Sequence, residues 1–196
     1  DEVIVPSNTY IASWLAISQI WAKIIPVEPD IKTYNIDPLK IEDKITSKTK
    51  VIMPVHLYGQ ACDMTSIMKI ANKNNLFVVE DNAQAQLSTW DGQFTGTFGN
   101  VNATSFYPTK NLGAIGEAGC VTTKSKEIME FCKIYRNYGS KRKYINSIKG
   151  VNSRIDEIQA GFLNVKLDFI EEFTNQRRIQ AEYYNKNLPN FENCIL

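Results

Sequence analysis

Short apolar runs alternate with helix-like segments through the first eighty residues, and that alternation leaves the chain few folds to choose from. Val3-Ile4-Val5, Lys23-Ile24-Ile25-Pro26-Val27, Lys50-Val51-Ile52-Met53-Pro54-Val55 and Leu76-Phe77-Val78-Val79-Glu80 read as strands. Between them, Tyr10 to Gln19 suits a helix, and Asp37-Pro38 places an N-cap and a first-turn proline before a helix to about Ile45. Asp63 caps a helix to Asn74 whose Ile67, Ile70 and Ala71 share a face. Strands alternating with helices imply an α/β fold, a mostly parallel sheet with helices on both faces. In such sheets ligands sit beyond the carboxyl ends of the strands. Ser7-Asn8-Thr9, His56-Leu57-Tyr58 and Asp81-Asn82-Ala83-Gln84 all fall at those ends.

The later residues read as short segments around Phe94 and Thr104-Ser105-Phe106, a strand at Cys120 to Thr123, and then mainly helices. Ser125 caps a run through Ile128, Met129, Phe131, Cys132 and Tyr135. Asp156 to Phe173 reads as one amphipathic helix with Ile155, Ile158, Phe162, Val165, Phe169 and Phe173 stepping by three or four, a stripe that suits a core or a subunit interface. Gln176 to Leu188 reads as a further helix.

Composition narrows the function classes. The 22 basic and 21 acidic residues leave a net charge of +1 with no block of like charge, which disfavours a nucleic-acid surface. No apolar run approaches the ~18 residues of a membrane span, and the start has no signal-peptide core. Cys62, Cys120, Cys132 and Cys194 are scattered around a single histidine, so reduced buried thiols are expected rather than a metal site or a disulfide framework. A cytoplasmic location follows as the expectation.

The chemistry concentrates between Leu76 and Cys120. Asp81 ends a strand with four apolar residues in succession, so its carboxylate emerges at a water-poor rim that favours a cationic partner. A protonated pyridine nitrogen is one such partner; a helix cap or an ordinary ion pair would satisfy Asp81 equally. Glu80 points to the opposite face and reads as structural. Lys110 follows Asp81 by 29 residues among small and apolar neighbours. There a desolvated amine becomes a nucleophile toward an aldehyde and can later carry a proton, although a solvated surface lysine is the plainer reading. Ser105 offers a hydroxyl for a phosphate, or merely caps a turn. Gly113, Gly116 and Gly119 are spaced Gly-x-x-Gly-x-x-Gly, which is not the dinucleotide fingerprint, and read as flexible backbone beside the lysine. His56 has no nucleophile motif near it and suits a satisfied structural side chain.

Six motifs occur in order: Val5-Pro6-Ser7-Asn8-Thr9-Tyr10-Ile11-Ala12, Pro54-Val55-His56-Leu57-Tyr58-Gly59-Gln60, Glu80-Asp81-Asn82-Ala83-Gln84-Ala85, Ser105-Phe106-Tyr107-Pro108-Thr109-Lys110-Asn111-Leu112-Gly113, Arg136-Asn137-Tyr138-Gly139-Ser140 and Gly150-Val151-Asn152-Ser153-Arg154-Ile155-Asp156-Glu157-Ile158-Gln159-Ala160. Together they resemble the DegT/DnrJ/EryC1/StrS sugar aminotransferases of fold type I. The resemblance implies pyridoxal 5'-phosphate as cofactor. It implies that Lys110 forms the internal aldimine and acts as acid and base, that Asp81 pairs with the pyridine nitrogen, and that Gln84 contacts the ring hydroxyl. Tyr10 would stack on the ring and Ser105 would bind the phosphate. Asn152 would reach the phosphate of a neighbouring subunit, so a homodimer is implied. Tyr107 and Arg154 would lie near substrate. The implied reaction passes an amine from glutamate to the cofactor and then to a nucleotide-linked keto-sugar. The wording of the motifs is most similar to members acting on dTDP-3-keto-6-deoxyhexoses; members aminating C4 share the catalytic set. A lysine at 110, rather than a histidine, argues against the dehydratase branch.

The same resemblance divides the chain into residues 1–175, the central part of the large cofactor-binding domain, and 176–196, a linker helix and the start of a C-terminal small domain. It also implies a fold incomplete at both ends, because a Gly-Thr turn that precedes these motifs in the family has no counterpart here. A non-catalytic interaction module and a nucleotide-binding oxidoreductase are the alternatives from other classes.

Overall fold

The computed structural model describes residues 1–188. Chain order runs β1 (Glu2–Pro6), α1 (Ile11–Gln19), β2 (Lys23–Val27), β3 (Thr49–Ile52), α2 (Met64–Lys73) and β4 (Phe77–Asp81). A two-stranded hairpin follows, β5 (Thr89–Trp90) with β6 (Gln93–Phe94), then β7 (Val101–Ser105), β8 (Gly119–Thr122) and α3 (Lys126–Tyr135). A second hairpin, β9 (Ser140–Arg142) with β10 (Ile145–Asn146), precedes α4 (Glu157–Leu167) and α5 (Ile170–Asn187).

Six strands form one sheet in the order β2-β1-β3-β4-β7-β8. All neighbours are parallel except β8, which runs antiparallel to β7. The mostly parallel α/β sheet expected from the alternation is therefore present. Because successive strand residues point to opposite faces, β1 feeds two cores at once. Val3 and Val5 pack with Ile17 of α1 on one face. Ile4 joins Ile52, Val78 and the α2 residues Met64, Ile67 and Ala71 on the other. Each fully buried aliphatic side chain here contributes on the order of 1.5–3 kcal/mol. A third cluster lies beyond the strand ends, where Leu112 and Ala114 meet Leu163 of α4 and Ile170 of α5.

Three expectations need correction. The segment after Asp37 is not one helix to Ile45 but two single 3-10 turns, Pro38–Lys40 and Glu42–Lys44, with i to i+3 bonds throughout. Asp37 does cap the first, accepting from Leu39 N at 3.0 Å. Ile36 and Ile41 are both buried in the core under α2, which pins the segment at two points and leaves no run long enough to offset the cost of nucleating an α-helix.

The helix expected from Asp156 to Phe173 breaks at Asp168–Phe169 into α4 and α5. The break keeps Leu163 and Ile170 together over Leu112 and Ala114. The apolar stripe accordingly lies outside this chain's core: Ile158, Phe162, Val165 and Phe169 are exposed, Phe162 by 46% and Ile158 by 68%. α5 runs unbroken across residue 175, the expected domain boundary, and residues 189–196 of the expected C-terminal segment lie outside the described residues.

Of the cysteines, Cys62 is buried as expected, donating to the Val55 carbonyl at 3.2 Å, and burial pushes its thiol pKa up. Cys120, by contrast, is exposed, because β8 is an edge strand. Among the described residues no helix is long and apolar enough to cross a membrane, and no cluster of His, Cys, Asp and Glu could hold a metal ion.

Candidate functional site

The carboxyl ends of β1, β3, β4 and β7 come together because these strands are neighbours and parallel. Asp81, last residue of β4, is gripped from both sides by backbone. Its N–H donates to Pro54 O at 2.9 Å, its carbonyl accepts from His56 N at 3.1 Å, and it pairs across with Ala103 of β7. The side chain is half-buried and each oxygen has one donor: Ser13 Oγ to Oδ2 at 2.7 Å and Ala83 N to Oδ1 at 3.1 Å. One lone pair per oxygen remains for a further donor.

Gln84 lies just past Asp81. Its Oε1 accepts from Tyr58 N at 2.6 Å, so its amide NH2 is the end left for a ligand acceptor. Tyr58 holds a left-handed backbone (φ 59°) and Gly59 follows with φ 84°, which turns the 56–59 segment back across the site. Tyr10 stands at the N-terminus of α1, 72% exposed as a residue, and it caps the helix without using its side chain.

Two residues beyond Ala103, Ser105 ends β7. Gln86 donates to its carbonyl at 2.7 Å, and its Oγ accepts from Tyr107 N at 3.2 Å, so the hydroxyl proton stays free for a ligand oxygen. The chain then makes a closed loop. Ala114 N returns to Phe106 O at 2.8 Å, and Lys110 N bonds Tyr107 O at 2.9 Å. Lys110 is half-buried, and among the described residues its amine has neither an ion pair nor a hydrogen bond. Tyr107 is exposed on the same loop.

The glycine segment is not flexible backbone, as its spacing suggested, but close-packed backbone. A Cβ on Gly113 would overlap the Pro108 carbonyl, and one on Gly116 would lie 2.6 Å from Gln159 Nε2. α4 latches this loop twice: Lys166 Nζ donates to Gly113 O at 2.6 Å, and Gln159 Oε1 accepts from Ile115 N at 2.9 Å.

Beneath Asp81 lies a pair with no solvent exposure. His56 Nδ1 accepts from Cys62 N at 3.1 Å, so the ring proton is on Nε2 and is donated to Glu80 Oε2 at 2.9 Å. The same carboxylate accepts from Gly96 N at 2.7 Å, Phe98 N at 2.7 Å and Gly99 N at 2.6 Å. Burial alone would raise the pKa of Glu80. The donors, His56 first and then the Gly99 and Gly96 amides, outweigh it and hold the carboxyl below its ordinary range. Glu80 and His56 are thus the structural residues their sequence context suggested, and they serve each other.

Asn152 and Arg154 form a second cluster. Arg154 bonds Asn152 Oδ1 at 3.1 Å and Asn137 Oδ1 at 2.9 Å, and its guanidinium lies 5.4 Å from the Tyr138 ring centroid. Asn137, Tyr138, Lys141, Arg142, Tyr144 and Arg154 line one cavity beside the second hairpin. No hydrogen bond among the described residues joins this cluster to Asp81, Gln84, Ser105 or Lys110. Tyr10, Asp81, Gln84 and Ser105 thus stand at or just past one set of strand ends, with Lys110 on the loop that leaves β7, while Asn152 and Arg154 make their contacts with each other and with Asn137 and Tyr138.

Two contributors went unassigned in the sequence. Ser13 is in the first turn of an ordinary-looking apolar helix, and only its position three residues after Tyr10 marks it as sharing a face with the site. Tyr58 acts through its main chain, which no side-chain signal reports.

Comparison with known proteins places these features in context. The model of the DegT/DnrJ/EryC1/StrS aminotransferase family matches residues 1–196. A dTDP-3-amino-3,6-dideoxy-alpha-D-galactopyranose transaminase of Aneurinibacillus thermoaerophilus is 57% identical over 190 residues, 97% of this chain and 52% of that protein. Among solved structures, Streptomyces venezuelae DesV in complex with a ketimine intermediate superposes with a TM-score of 0.92 at 45% identity, covering 96% of this chain and 52% of that one. Bacillus subtilis NtdA with bound cofactor PMP superposes with a TM-score of 0.83 at 35% identity, over 95% of this chain and 45% of that one. The chain spans about half the length of the relatives it matches.

Proposed function

This chain belongs to the DegT/DnrJ/EryC1/StrS aminotransferase family, and from that premise we propose that the protein is a pyridoxal phosphate-dependent transaminase. It moves an amino group from glutamate to a nucleotide-linked keto-sugar, best a dTDP-3-keto-6-deoxyhexose, giving the 3-amino sugar. The observation that carries this reading is the Lys110 amine. It has no partner of its own among the described residues, and its loop springs from the strand beside Asp81.

The free groups match the cofactor's own polar atoms in kind. An ionised Asp81 oxygen suits a protonated ring nitrogen, and the Gln84 NH2 suits a ring oxygen. The Ser105 hydroxyl suits a phosphate oxygen, the open Tyr10 ring a planar π-face, and the Lys110 amine an aldehyde. When bound, pyridoxal phosphate supplies a protonated aromatic ring that spreads the negative charge left when a carbon beside it loses a proton. The chain's residues do the rest. Asp81 keeps the ring nitrogen protonated, because its carboxylate is a nearby fixed anion. Tyr10, standing exposed at the head of α1, holds the ring face and keeps water from it. Lys110 would hold the cofactor's aldehyde through its amine, and the same amine, when free, would carry a proton between two carbons.

The second cluster fits a role in trans. We assign Asn152 to the phosphate of a neighbouring subunit's cofactor and Arg154, with Tyr107, to the substrate. The exposed apolar residues of α4 support a homodimer. A cytoplasmic setting suits the free thiols of Cys62 and Cys132.

The test incubates the protein with glutamate and a dTDP-linked 3-keto-6-deoxyhexose, and follows both 2-oxoglutarate and the aminated nucleotide sugar. Both are expected in equal amounts from the wild type. Lys110→Ala should lower the rate by at least about a thousandfold, since it removes the covalent anchor and the proton carrier together. A wild type that binds cofactor but aminates no nucleotide-linked ketone in a panel would rule the assignment out.

A further inference from the structure

Ser13 is 4% exposed, yet it is a hydroxyl in a helix of otherwise apolar core-facing residues. Its Oγ lies 2.7 Å from Asp81 Oδ2 and 2.9 Å from Thr9 Oγ1. An ionised carboxylate can only accept, so the single Ser13 proton is committed to Asp81. Ser13 then has only lone pairs to offer Thr9, which fixes Thr9 as donor to Ser13. The result is a directed chain of hydroxyls, Thr9 to Ser13 to Asp81, in which each bond polarises the next.

We propose that Ser13 is a positioning residue for Asp81, oriented in turn by Thr9, and that this relay sets the carboxylate plane that meets the cofactor's ring nitrogen. The proposal rests on the reading of the site given above. Two fixed points define that plane: Ser13 Oγ on Oδ2 from α1, and Ala83 N on Oδ1 from the turn after β4. A carboxylate held at one oxygen only is free to rotate about its terminal torsion, which is broad and nearly two-fold. Tyr10 and Ser13 share one helical turn, their backbones joined by Ser13 N to Tyr10 O at 3.1 Å. The ring-stacking residue and the residue that aims Asp81 are therefore carried as one rigid unit. A displacement of α1 would shift both, while loss of the Ser13 hydroxyl would release Asp81 alone.

The experiment compares wild type, Ser13→Ala, Ser13→Thr and Thr9→Val as full chains. It titrates pyridoxal phosphate by absorbance and records circular dichroism in the cofactor's visible band. Ser13→Ala should fold but bind the cofactor about tenfold to a hundredfold more weakly, the loss of one hydrogen bond to a charged group, and its visible dichroism should change shape or fall. Ser13→Thr, which keeps the hydroxyl, should restore both to within about threefold of wild type, and Thr9→Val should lose about two- to fivefold. A merely structural Ser13 would shift melting temperature without moving the dichroic band. Ser13→Ala with wild-type affinity and wild-type dichroism overturns the proposal. If Ser13→Ala does not fold, Thr9→Val decides: no change in affinity or dichroism overturns the relay. A wild type that shows no cofactor band at all overturns the reading of the site, and the relay's purpose with it.

Discussion

Glu80 carries an ionised carboxylate with no solvent exposure, held by His56 and three backbone amides. Its pKa in the folded protein is lower than in the unfolded chain, so the folded state binds that proton more weakly. Its stabilising contribution is thus complete above the ordinary carboxylate range and is lost as pH falls through that range toward the folded value. Glu80→Gln should cost about 3 kcal/mol near neutral pH, because an amide NH2 must face at least one of the four donors. Urea midpoints measured against pH should show that difference shrinking below about pH 4. A constant difference across pH would mean that Glu80 is not ionised in the fold. At this scale the neighbourhoods of Asp81 and Lys110 left each open to a plain reading, and it was the ordered motifs around them that singled them out. Glu80 and His56 each looked structural, but 24 residues separate them and nothing local announces that they meet. Ser13 was hidden for a related reason: a serine in a helix's first turn looks like any other solvated hydroxyl.

The elements were legible where period and capping agreed. β2 has the bounds its composition indicates, and Asp63 and Ser125 cap α2 and α3 through Ser66 N and Ile128 N. The break at Asp168–Phe169 was not legible, since neither glycine nor proline marks it; tertiary contact with Leu112 and Ala114 sets it. The glycine segment misled because spacing cannot distinguish freedom from crowding. Gly113 is there because backbone passes close by, and Gly113→Ala should destabilise the protein by about 3 kcal/mol while leaving the sheet intact. Thermal unfolding followed by far-ultraviolet circular dichroism measures the loss; an unchanged midpoint would contradict the close packing. The α4 latch is separable. Lys166→Met keeps the aliphatic stem but removes the bond to Gly113 O, and should raise hydrogen exchange across residues 106–114 by about three- to tenfold with little change elsewhere.

In the whole molecule, a sheet with helices on both faces brings four parallel strand ends to one rim, and Asp81 and Ser105 end two of those strands. α4 reaches the rim through Lys166 and Gln159, while an adjoining face shows Ile158, Phe162 and Val165 to solvent. If that face joins two copies, Phe162→Asp with Val165→Asp should shift the sedimentation coefficient from dimer to monomer and weaken cofactor binding in parallel. A variant that stays the same size as wild type would remove α4 from the interface. The central claim remains that Lys110 and Asp81 belong to one pyridoxal phosphate site. Borohydride reduction of the cofactor-loaded protein, followed by peptide mass mapping, tests it most directly. A single phosphopyridoxyl adduct on Lys110, absent from Lys110→Ala and reduced in Asp81→Asn, is the expected result; an adduct on another lysine, or none, would contradict the account.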